Sequence, residues 1–350
     1  MDTIKYCNRI CTIVLALAIS ACGGGSGSSG GGSGGSGGSG SGSSGTITSS
    51  NAAAFAANIL YLADFSDYFD AAGTIITGVV SSEPRHHRTT IGNLINWQIA
   101  VVANLPYTTT PTRIYAAGIF PTSSPGNACA GGGNFDITWT DANTNNTVDA
   151  GDSASVTFNA CSIDTGYDPV DGGLDIDITS ITGDPATDSD WTLGADIVFN
   201  DLIFTFTGGS ETVNATVTLS QSLASGTNFS TNYTGNLDGT GTDTGGSYTY
   251  YLHNMDITGT EDSSSGSWTF AANCDGNDST IGNFTVATIS PFAGTGTYPD
   301  SGSAKVTAAD NSSITLTTIT ATDVQLDVDT NGDNIIDASV STTWNFLASL

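Results

Sequence analysis

From about residue 74 to the C-terminus, apolar and polar positions alternate with a period of two, as in GLDIDITSI, ADIVFNDLIFTFTG, ETVNATVTLSQ, SYTYYLHNMDITG, SGSWTFAAN, GNFTVATIS, SAKVTAAD, SSITLTTIT and DVQLDVD. Side chains two apart share one face of a strand, so each run reads as a half-buried β-strand. The intervals between runs are short and rich in Gly, Asn, Asp, Ser and Thr, which suits antiparallel neighbours joined by tight turns rather than βαβ crossovers. NFSTNYTG is a further short strand, and GTEDSSSGS and DGTGTDTGGS have the composition of loop tips. The expected fold is mainly β: an extended antiparallel meander, curled or partly closed as a barrel to hide its edges, with a two-sheet sandwich as the alternative. Thr and Asn on one face of many strands predict that one side of the sheet is wet.

One segment breaks the period. SSNAAAFAANILYLADFSDYFDAAG predicts a helix over about residues 50–72. Phe55, Ile59, Leu62 and Phe69 fall near one face, Ser50 or Asn51 caps the start, and Gly73 ends it. A membrane-surface helix would carry Lys or Arg on its polar face. This one has neither, so it is expected to plug or cover the sheet.

The N-terminus has a different logic. MDTIKYCNR carries Lys5 and Arg9 ahead of an apolar run, Ile10 to Ile19, too short to span a bilayer. Residues 1–21 therefore read as a secretory signal. They lead into Ile19-Ser20-Ala21-Cys22, which resembles the lipobox of bacterial lipoproteins. The resemblance implies that Cys22 takes a diacylglycerol on its sulfur, is acylated and becomes the first mature residue. Residues 23–45 are only Gly and Ser, a flexible tether with an r.m.s. span of roughly 25–30 Å. Gly23 stands where Asp would favour inner-membrane retention in the enterobacterial pattern, so the implied address is the outer membrane of a bacterial cell envelope. Residues 46–350 remain as one β-rich domain.

Composition narrows the partners. The 34 acids less Asp2, and the six bases less Lys5 and Arg9, leave 33 against four, a net charge of −29. Such a surface repels phosphates, which excludes nucleic acid as a partner. Only Glu83, Glu211 and Glu261 are Glu; the other acids are Asp, which suits turns and short-reach ion loops. Of the cysteines, Cys129, Cys161 and Cys274 stay in the mature domain. If Thr140 faces Ser153, Cys161 lies opposite a residue near Gly132, so Cys129–Cys161 is the expected disulfide. Closing a loop of roughly 30 residues contributes about 3–4 kcal/mol. Cys274 is left over, as a buried free thiol or as a cysteine with no assigned role.

Two stretches carry ion chemistry. In DANTNNTVDAGD, Asp141, Asn143, Asn145, the Thr147 carbonyl, Asp149 and Asp152 fall at positions 1, 3, 5, 7, 9 and 12 of an EF-type calcium loop, with Val148 as the apolar anchor at position 8. In DTNGDNIIDASV, Asp329, Asn331, Asp333, the Ile335 carbonyl and Asp337 take positions 1, 3, 5, 7 and 9, with Ile336 as anchor and Val340 where the last carboxylate would be. The second loop resembles dockerin-like and thrombospondin-type repeats. Position 6 is Asn in both (Asn146, Asn334), a residue that tolerates positive φ. Strand-like flanks on both loops predict structural calcium at hairpin tips, not a helix-opening switch. Three acids per loop suit the weak extracellular range, around 10⁻⁴–10⁻³ M.

Other candidates read as scaffold. EPRHHRTT holds Arg85, His86, His87 and Arg88, but adjacent histidines on a strand face opposite ways. His253 reads as a hydrogen-bonded sheet residue, and the tyrosines of SYTYYLHN as core or as a groove lining. There is no GxSxG elbow and no phosphate loop. The segment from 294 onward, with Pro299-Asp300-Ser301-Gly302, an Asp-rich loop and Trp344, resembles the tail of uncharacterised proteobacterial lipoproteins, and the ACAGGG…FDITWTDANTNNTVDAGD…VTFNAC block resembles their earlier hairpin. That group implies no activity. The expected function is non-enzymatic: a lipid-anchored, calcium-stabilised envelope protein with a structural, adhesive or surface-interaction role toward a protein or glycan. The alternatives are a carrier for a lipid or other apolar ligand, as in LolA-like half-barrels, and an Asp-dependent hydrolase.

Overall fold

The computed structural model describes residues 46–53, 56, 124–129, 131–145, 148–162, 168–183, 188–243, 246–278, 282–296 and 298–347. The signal, Cys22, the Gly/Ser tether, the EPRHHRTT segment and most of the predicted helix lie outside them. Of that helix, Ala52, Ala53 and Ala56 are described and helical. Ala52 and Ala56, one turn apart, are fully buried in the core.

The strands are β1 (Ser124–Ala128), β2 (Gly132–Thr140), β3 (Ser153–Ser162), β4 (Val170–Thr182), β5 (Trp191–Phe206), β6 (Gly209–Ala224) and β7 (Asn228–Asp243). They continue as β8 (Gly246–Asp262), β9 (Ser267–Asp278), β10 (Gly282–Gly294), β11 (Ser301–Ala308), β12 (Ser313–Thr318), β13 (Asp323–Asp329) and β14 (Ala338–Thr343), followed by a single helical turn, Trp344–Leu347. Each strand pairs antiparallel with the next, in one sheet whose order is the order of the chain. It is an open meander. The linear order does not close β14 onto β1, and it rules out the sandwich, in which the strands divide between two sheets.

Alternation decides which face is buried. One row of cross-strand partners runs Leu174, Phe199, Ala215, Leu237, Leu252, Gly276, Phe284 and Ala308 from β4 to β11. The opposite face carries polar pairs between neighbouring strands: Asn200 donates to Asp175 at 2.7 Å, Thr218 to Asp196 at 2.7 Å and Ser339 to Asp327 at 2.6 Å. The wet side is there, as the Thr and Asn content predicts.

Three of the irregularities that bend the sheet share one device. Ala160, Asp201 and Asn254 have left-handed φ values of 45°, 48° and 51°, each where the register slips. The amide of each is held by a side chain on an adjacent strand: Asp171, Asn214 and Asn236, at 2.8–2.9 Å. An extra residue left out of the ladder raises local twist and curvature.

The segment DGTGTD, expected at a loop tip, is instead the end of β7. Gly239 and Gly241 have no side chains to fill the inner face, but the rings of Tyr250 and Tyr248 from β8 lie across them, where an added Cβ would stand 2.2 and 2.4 Å from ring atoms. Both hydroxyls donate to Glu211, which is buried. Glycine here makes room for an aromatic ring.

The helical turn after β14 packs back against β10. Trp344 is 1% exposed, its ring lies edge-on to Phe292 of β10 at 6.1 Å, and it stacks on Tyr298 at 6.2 Å. At the spacing of about 4.8 Å per strand, β14 would stand about 19 Å from β10 in a flat sheet. The ring contact therefore requires curling or a crossing of the face. The Cys129–Cys161 disulfide is formed, in the register argued from Thr140↔Ser153. Cys274 is a free, buried thiol.

Candidate calcium loops

Both Asp-rich stretches sit at hairpin tips: residues 141–152 join β2 to β3, and residues 330–337 join β13 to β14. Because the meander alternates direction, the two tips lie at opposite ends of the sheet and near opposite edges. The second tip shares its end with residue 46. Thr46 donates to Asp310 at 2.6 Å and the Ile47 amide to Ser312 at 2.7 Å, both in the turn from β11 to β12, and Gly332 packs against Asn311 of that turn.

In the first loop the ligand positions converge. The Asn143 amide donates to both carboxylate oxygens of Asp149, at 3.0 and 2.9 Å, and the Asn145 side chain donates to the same group. The Asn145 backbone N–H reaches Asp141 at 3.3 Å and the Asn143 side-chain oxygen at 3.0 Å. Turning the two terminal amides would present oxygen to the same point. Asp152 is fully buried; one oxygen accepts from Ala142 N–H at 3.0 Å and the other from Asp149 N–H at 2.7 Å, so it draws the two legs of the loop together. Val148 is buried in the core, as an anchor should be. Thr147 lies outside the described residues.

The second loop is built from nested turns. Asp329 is 6% exposed and accepts N–H groups from Asn331, Gly332 and Asn334 at 3.2, 2.7 and 2.8 Å. Asn331 accepts from Asp333 N–H at 2.9 Å, and Asp333 from Ile335 N–H at 2.8 Å. Asp337 accepts from the backbone and hydroxyl of Thr330, closing the loop. Burial pushes the Asp329 carboxyl up, but the surrounding N–H donors outweigh it and hold the group below the ordinary carboxylate range. The Thr330 hydroxyl and N–H likewise hold Asp337 low, against burial and the repulsion of Asp329.

The backbones of the two loops also match. Position 4 is left-handed in both loops, Thr144 at φ 58° and Gly332 at φ 76°. Asn334 at position 6 has φ 64°, the conformation for which Asn substitutes for Gly. One expectation fails: Ile336 is 57% exposed and anchors nothing. The short β13–β14 hairpin ends before its tip can reach the core, whereas Val148 follows a longer excursion back to the sheet. Val340 is a β14 residue opposite Leu326, so the second loop closes at Asp337.

Among the described residues, no group of three or more His, Cys, Asp or Glu is gathered as a metal centre. Loops of this spacing also draw on amide and backbone oxygens. His253 Nε2 lies 3.0 Å from Asp238 and its ring stacks on Tyr251, in keeping with a sheet residue. No protein family, curated protein or solved structure matches the chain.

Proposed function

We propose that the protein is a lipid-anchored, calcium-stabilised β scaffold of a bacterial envelope, acting through its surface rather than as an enzyme. The observation that carries this reading is the pair of hairpin tips with matched ligand spacing and the same left-handed position 4. In each, a cation would gather oxygens that hydrogen bonds already bring together, and would offset carboxylates that repel one another. Asp141, Asn143, Asn145 and Asp149 would hold one ion; Asp329, Asn331, Asp333, Asp337 and the Ile335 carbonyl would hold the other. Calcium there supplies charge neutralisation and a fixed strand register, which is a structural role. Cys22 and the tether would place the end carrying residue 46 and the second loop nearest the membrane, with the first loop pointing away.

Calorimetric titration of calcium into chelator-treated protein tests this reading. Two saturable sites are expected, with Asp149→Asn and Asp333→Asn each weakening one by about tenfold and sparing the other. Heats no larger than for magnesium, or variants without effect, would overturn it.

A further inference from the structure

A cleft of about 620 Å³ opens at the ends of β6 to β11, at the end of the sheet away from residue 46. One inner-face row of cross-strand partners reaches it: Trp191, Leu223, Phe229, Glu261, Trp268 and Gly294, from β5 to β10. Glu261 is the one charged member, set directly between Phe229 and Trp268. It is only 6% exposed, and its Oε2 is buried with no hydrogen-bond partner among the described residues.

A carboxylate taken out of water without a partner is costly, and a protein of this charge has carboxylates to spare elsewhere. Among the described residues, the other charged groups lining the cleft are Asp262 and Asp300, and neither is a counter-charge. Asp262 is engaged by Ser264 and Ser265, and Asp300 accepts from Thr295 N–H. Among the described residues, no Lys, Arg or His lines the cleft. Burial, and then the neighbouring Asp262, push the Glu261 carboxyl up, so the pocket favours whatever brings positive charge to it.

We propose that this cleft binds an organic ammonium group, with Glu261 as its counter-ion and the rings of Phe229 and Trp268 on either side. Aromatic faces attract cations, and most strongly when water is excluded. A metal ion would want further oxygen ligands where the two rings stand. A sugar would use the same rings and carboxylate but would have no need of the charge. The site is separate from both hairpin loops and stands independently of calcium.

The test uses the intact protein at physiological salt, with choline as probe and 3,3-dimethylbutan-1-ol as its uncharged isostere, read by Trp fluorescence and calorimetry. Choline should bind saturably, the alcohol and glucose at least tenfold more weakly, and Glu261→Gln should lose tenfold or more of the choline affinity. Asp327→Asn, on the outer face, should leave it unchanged. Glu261→Gln removes a buried charge and should melt no lower than wild type. Should it fail to fold, Phe229→Leu takes its place and should cost at least threefold. No choline binding at millimolar concentration, equal binding of the alcohol, preference for glucose, or an unaltered affinity in the variant would each overturn the proposal.

Discussion

A single glycine shows how closely this sheet is fitted. Gly172 has φ +109°, and a Cβ placed on it would stand 2.2 Å from the carbonyl oxygen of Asp201, the left-handed bulge residue of β5. Gly172→Ala should therefore lower stability by about 2–4 kcal/mol, combining backbone strain with a backbone clash. Urea unfolding would measure it; a change below about 0.5 kcal/mol would mean that the bulge yields freely. Cys274 makes a second point at this scale. Its thiol is pushed up to about 12, first by burial and then by Asp275. At pH 8 it should react with Ellman's reagent only as fast as the protein unfolds, and fast labelling of the native state would contradict its burial.

At the scale of elements, the hairpin closed by the second loop should respond to acid in a definite direction. Asp329 and Asp337 are held below their ordinary pKa in the folded state. Such groups add stability above the unfolded pKa of about 4 and lose it as pH falls through the folded value. Asp329→Asn should thus destabilise the protein at neutral pH, with the gap to wild type narrowing below pH 4 in melting curves taken across that range. A constant gap would assign the cost to geometry instead of charge.

The strands themselves were legible because a half-buried strand writes its burial into a period of two, and the polar turns punctuate it. The two Asp-rich hairpin tips were legible for a similar reason, since a turn between strands is local in sequence. Features fixed by a neighbouring strand were not. The end of β7 looks like a Gly-rich tip until Tyr248 and Tyr250 are laid over it, and Ala160 carries no local sign of a left-handed bulge. Ile336 looks like an anchor by its position, but only hairpin length decides whether an apolar residue at the tip meets the core.

At the scale of the whole molecule, the sheet is a long ribbon stitched at its ends. Its strands of 16–17 residues, from β5 to β8, reach about 50–55 Å when extended. The disulfide ties β3 to the chain beside β1, and Trp344 closes the other flank. Among the described residues each hairpin pairs only with its neighbours, so a tip that frays loosens the strands beside it and the shared apolar row beneath them. Two cation-clipped tips, at opposite ends and near opposite edges, would hold such a ribbon where it is least supported.

The most direct measurement is the melting temperature of the intact protein in 5 mM calcium and in chelator, at matched ionic strength. Binding that favours the folded state stabilises it by mass action, about 1 kcal/mol per site at a few times the dissociation constant. Calcium-clipped tips should raise the melting temperature by at least several degrees in calcium, a rise not reproduced by magnesium and roughly halved in Asp149→Asn. Identical melting curves in calcium and chelator would contradict it and leave both loops as hydrogen-bonded turns.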